Sequence, residues 1–94
     1  MFRNPHFETR GVAAEIPYAI RHFMWVCVSA MPEPRDYLQV FQISPCGPFL
    51  RITHSSEEPP YRMEYLLHYD MPLSAKIYVI DSEDYSTMLL ANEY

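Results

Sequence analysis

Hydrophobic residues follow two periods along this chain. Ile16, Ile20, Phe23, Met24, Cys27, Val28 and Met31 recur at three- and four-residue spacing, which predicts one buried helical stripe over residues 17–31. Pro17 suits the first helical position, where the missing N–H was an orphan anyway, and Glu15 complements the helix dipole. Trp25 and Val26 lie partly outside the stripe and widen it, so the helix is expected to pack on more than one side. Pro32 and Pro34 end it.

Elsewhere the period is two. Tyr37, Phe41 and Ile43 share one face of a predicted strand over residues 36–44, with Gln39 among them, while Leu38 and Val40 share the other. Both faces are partly apolar, so this strand belongs in the sheet centre. Pro45-Cys46-Gly47-Pro48 is a turn signal, and residues 49–53 read back as its hairpin partner. Residues 55–60 form a polar, acidic, proline-rich loop. Tyr61, Met63, Tyr65, Leu67 and Tyr69 then alternate with Arg62, Glu64, Leu66 and His68, the cleanest strand pattern in the chain. Residues 70–73, beginning at Asp70, read as a turn. Ala75, Ile77 and Val79 alternate with Lys76, Tyr78 and Ile80 in a further strand. Asp81 or Ser82 would cap a short helical turn over residues 83–85, and residues 86–90 form a last strand or packed tail. Residues 2–12 read as mostly extended, held at a sheet edge by Pro5.

These elements predict an α+β fold: one main helix packed on an antiparallel sheet of four to five strands. Ninety-four residues, 49% of them apolar, suit one domain spanning residues 1–94. Only two glycines are present, which argues against a backbone phosphate cradle. The longest mainly apolar stretch, residues 23–31, is too short to span a membrane, and the N-terminus lacks a signal-peptide core. A cytoplasmic protein with two free thiols, Cys27 and Cys46, is expected.

The net charge of −5 is uneven. Residues 1–36 balance four arginines with four acids, whereas residues 37–94 set three cations against eight acids. That sign disfavours direct nucleic-acid binding and suits a basic protein partner. The last eighteen residues alone carry Asp81, Glu83, Asp84 and Glu93 and no cation.

No stretch carries a reaction. His6, His22, His54 and His68 are scattered without metal-ligand spacing, and each is expected at the surface or its boundary. A Cys46–His54 nucleophile pair across the hairpin would need an activating group that the turn does not supply. The acids of residues 81–84 lack the glycine and later bidentate Glu of a calcium loop. No enzyme activity, metal or cofactor is therefore expected. The residues assigned to partner binding are Glu57, Glu58, Asp81, Glu83 and Asp84 for charge, with Tyr78 and Tyr85 as aromatic anchors.

The blocks Thr9-Arg-Gly-Val12, Glu15-Ile-Pro17, Phe23-Met-Trp25, Asp36-Tyr-Leu-Gln-Val-Phe41 and Ile80-Asp-Ser-Glu-Asp-Tyr-Ser-Thr-Met-Leu-Leu90 resemble a small Firmicute and phage family called domain of unknown function 960. The resemblance runs in order over almost the whole chain. It implies a small cytosolic protein of Gram-positive bacteria and their mobile elements, and it brings no catalytic residue. Acidity, absent catalytic motifs and that setting together suggest a non-enzymatic, protein-binding inhibitor. Its sharpest form is an anti-CRISPR that blocks the positively charged nucleic-acid channel of a type II CRISPR effector nuclease. The alternative is a housekeeping adaptor or regulatory subunit, homodimeric through an exposed edge strand.

Overall fold

The computed structural model describes residues 2–69 and 71–94. The turn expected at Asp70 begins outside them. Six strands form one sheet: β1 (His6–Glu8), β2 (Leu38–Cys46), β3 (Phe49–Ser56), β4 (Tyr61–His68), β5 (Ala75–Asp81) and β6 (Ser86–Leu90), in the order β1-β6-β5-β2-β3-β4. Two helices, α1 (Arg10–Glu15) and α2 (Tyr18–Ser29), precede β2, and a 3-10 turn, Ala91–Glu93, follows β6.

This corrects the expected sheet of four to five antiparallel strands. β1 adds a sixth strand and runs parallel to β6, so the sheet is mixed. β1 is only three residues long and exposed throughout, so no alternation of burial marks it. Its position is set by β6, about eighty residues away in sequence, through pairs such as His6 with Ser86. The reading of residues 2–12 as extended at a sheet edge holds for β1 and is corrected from Arg10, where helix α1 begins. The Thr9 hydroxyl caps α1 by accepting from the Val12 N–H at 3.2 Å. Pro17 precedes α2 as its N-cap rather than its first residue. β2 is central, as expected, but starts at Leu38, so Tyr37 lies outside it and is exposed.

Register assigns the two sheet faces, because directly opposed residues point the same way. Phe41 pairs with His54 and Ile77, Ile43 with Ile52, and Val79 with Met88. These residues, with Leu50, meet Val12, Ile16, Ile20, Met24 and Val28 from the helices in one core. Each such side chain contributes roughly 1.5–3 kcal/mol by leaving water. Trp25 is buried under His6, whose ring stacks on it at 3.9 Å, while Val26 is half exposed. Glu8 fastens α2 to the short edge strand, accepting from Trp25 Nε1 at 3.0 Å and pairing with Arg21 at 2.9 Å.

The helices cover one face only. The opposite face carries Leu38, Val40, Tyr78, Ile80 and Leu89 in its middle, and Arg51, Thr53 and Glu64 toward β4. No described helix is long and apolar enough to cross a membrane.

Candidate functional site

Strand direction decides which turns share an end of the sheet. β5 is antiparallel to β2, with Ile80 opposite Leu38, and β3 is antiparallel to β2, with Ser55 opposite Val40. The turn after β5 and the turn after β3 therefore project from the same end, on either side of Asp36 and Tyr37. β5 and β3 are separated by β2 alone, roughly 10 Å apart at two strand spacings. Glu57 and Glu58 in one turn and Glu83 and Asp84 in the other, all exposed, are gathered there.

Asp36 holds the first of these turns. One of its oxygens accepts from the Leu38 N–H at 3.1 Å, and the other from the N–H groups of Glu57 and Glu58 at 3.2 and 2.9 Å. Partial burial works to raise its carboxyl pKa, but the backbone donors outweigh it and hold the group below its ordinary value. Behind Asp36 runs a buried polar chain. Gln39 donates to the Asp36 carbonyl at 2.8 Å, and its Oε1 meets His54 Nε2 at 2.7 Å. His54, expected near the surface, is fully buried, stacked on Phe41 at 4.3 Å. Burial pushes its pKa down to about 4, so the ring is neutral at pH 7.

Asp81 plays a different part from its neighbours. It is buried, accepts from Asn4 Nδ2 at 2.7 Å and from Ser86 Oγ at 3.2 Å, and so faces inward. Asn4 also donates to the Glu83 carbonyl at 2.9 Å and accepts from Ser86 Oγ at 2.6 Å. This cluster ties the N-terminal segment to the β5–β6 turn. Glu83 sits in the left-handed region, at φ 73°, within a bend rather than the helical turn expected there. Its side chain is exposed, so Glu83 and Asp84 supply the outward charge of this turn. Arg3 lies beside them, lining a hollow with Asn4, Asp81 and Glu83.

The two anchor tyrosines reach the uncovered face. Tyr78 pairs with Val40 and Leu89 there, meets Tyr94 edge-on at 5.5 Å, and has Lys76 over its ring at 5.7 Å. Tyr85 is 45% exposed and meets the exposed Phe7 edge-on at 5.7 Å. Near the acidic end this face forms an open hollow of about 680 Å³, whose walls include Asp36, Tyr37, Glu57 and Glu58 together with the cations Arg35 and Lys76. Carboxylates beside aromatic and aliphatic walls recognise Lys and Arg side chains, by ion pairing at the head and stacking along the stem.

Sequence reasoning missed Asp36, Tyr37, Phe7 and Asn4. An Asp two residues before a strand is a weak signal for a backbone-holding carboxylate, and nothing local marks the other three. The Cys46–His54 pair is not formed. Cys46 is at the far end of the hairpin and on the other face, with Arg51 Nη2 at 3.5 Å from its sulfur. Cys27 and Cys46 are free thiols, and burial raises the pKa of Cys27. Among the described residues no three His, Cys, Asp or Glu side chains converge as a metal-ligand set.

The fold is similar to that of a protein of unknown function from Enterococcus faecalis, known from a crystal structure. The match has a TM-score of 0.86, covers 97% of this chain and 91% of that chain, and has 18% sequence identity. At that identity the likeness speaks for the fold alone. No curated protein matches the chain. Residues 6–93 match the family DUF960, described as a staphylococcal protein of unknown function, and the chain belongs to that family.

Proposed function

We propose that this protein is a non-catalytic binding module whose acidic sheet end and adjoining aromatic face dock a basic, nucleic-acid-binding protein. One observation carries the reading. Two turns far apart in sequence deliver Glu57, Glu58, Glu83 and Asp84 to the same end of the sheet, beside an uncovered face bearing Tyr78 and Tyr85. A six-stranded sheet does not need that arrangement to fold. A basic partner would be steered by it, and the ring-bearing face offers the apolar contact that charge alone lacks.

The sharpest form of the proposal is an anti-CRISPR, occupying the positively charged channel in which a type II CRISPR effector holds its nucleic acids. Size and acidity support it. DNA cleavage by purified type II effectors, with and without this protein, tests it over a salt series. The expected result is inhibition at low salt that fades as salt is added. Full cleavage with every effector at every salt concentration sinks the anti-CRISPR form.

A further inference from the structure

The sheet ends in two unlike edges. β1 is three residues long, whereas β4 is eight and, among the described residues, pairs with β3 on one side alone. Natural edges are normally blunted by brevity, charged side chains, Pro, a bulge or a covering element. β4 carries the charges Arg62 and Glu64 but no Pro, Gly or Lys, and its register with β3 is unbroken from Tyr61 to His68. Met63 is 44% and Leu66 56% exposed on it.

The free hydrogen-bonding groups of this edge can be assigned. Beyond the end of β4, Tyr69 donates its N–H to the Pro48 carbonyl at 3.2 Å, continuing the same register. In an antiparallel ladder the bonded positions alternate. The odd-numbered residues of β4 therefore bond to β3, and Arg62, Glu64, Leu66 and His68 present their N–H and C=O groups outward. We infer that β4 pairs antiparallel with β4 of a second copy about a two-fold axis at Leu66, joining two sheets into one.

The outward ladder and the side chains it opposes narrow the register. Centring on Glu64 sets Glu64 against itself, and centring on Tyr65 sets Arg62 against His68. Centring on Met63 sets Arg62 opposite Glu64 but brings Pro60, which has no N–H, opposite Leu66. Centring on Leu66 places the two exposed leucines together and sets each Glu64 opposite the His68 of the second copy. Opposite polar partners and an apolar pair at the axis both favour it, since like charges directly opposed are destabilising. This surface is separate from the acidic end and does not depend on the function proposed for it.

Sedimentation of the full chain tests the inference, from roughly 1 µM to roughly 1 mM, the span over which weak association is read. Wild-type protein should rise with concentration from 11.1 kDa toward twice that mass. Leu66→Lys sets two ammonium groups on the axis, and Leu66→Pro removes an outward N–H without breaking a bond to β3. Both should stay at the monomer mass with an unchanged far-ultraviolet dichroism spectrum. Wild-type protein that remains monomeric at the highest concentration overturns the inference. So does a folded Leu66→Lys variant that dimerises as the wild type does.

Discussion

A methyl group added to Gly11 would lie 2.6 Å from Glu93 Oε2, closer than real Cβ atoms come to a neighbour. The Glu93 carboxylate accepts from Thr9 Oγ1 at 2.6 Å and from the Leu90 N–H at 2.8 Å, and these donors, the Thr9 hydroxyl foremost, lower its pKa. Glu93 thus links the cap of α1 to the last strand, and Gly11 leaves room for it. Gly11→Ala should destabilise the protein by evicting that carboxylate. In a Glu93→Ala background the sign should reverse, because Ala is a better helix former than Gly by up to about 1 kcal/mol. Urea denaturation of the four variants reads this cycle, and additive effects would remove the proposed link. Little of it was legible in the sequence. Thr9 is a conventional cap residue, but a six-residue helix with one buried position, Val12, shows no period, and the Glu93 contact spans 84 residues.

Longer elements were legible where their burial alternates and obscure where tertiary pairing alone decides. α2 buries Ile20, Met24, Cys27 and Val28 from the expected stripe, and β2, β4 and β5 fall where alternation placed strands. β3, expected over residues 49–53 from the turn before it, runs on to Ser56, and residues 86–90, expected as strand or packed tail, form β6. β1 lies in the segment read as extended at a sheet edge, but its three exposed side chains give no alternation to mark its limits. His54 was misplaced because a histidine near a predicted strand end looks like a boundary residue, whereas β3 runs on to Ser56. That burial joins β3 to β2 through Gln39 and on to Asp36, and it has a pH consequence. The folded pKa of about 4 lies below the ordinary 6.5, so the unfolded chain takes up the proton first as pH falls. The contribution of neutral His54 is fully present above pH 6.5 and declines toward pH 4. The loss reaches at most about 3 kcal/mol across that window. Replacing His54 with Phe should flatten the window in urea titrations at pH 7 and pH 4.5. An equally steep loss in the variant would show that other groups set it.

At the scale of the whole molecule, sequence disclosed that the charge was lopsided but not where it would gather. Glu57 and Glu83 lie 26 positions apart, and only the sheet order, with β2 between β3 and β5, puts their turns at one end. The same order turns Asp81 inward, onto Asn4 and Ser86, so an acid counted toward the binding surface serves the fold instead. The central claim is that this end, with its aromatic flank, docks a basic protein. It is tested most directly by binding to an immobilised type II CRISPR effector, comparing wild type with Glu57→Lys, Glu58→Lys, Glu83→Lys and Asp84→Lys combined. The account predicts wild-type binding that weakens with salt, and a loss of at least about tenfold, or about 1.4 kcal/mol, on reversal. Binding that survives reversal undiminished, or that is absent even at low salt, would contradict it.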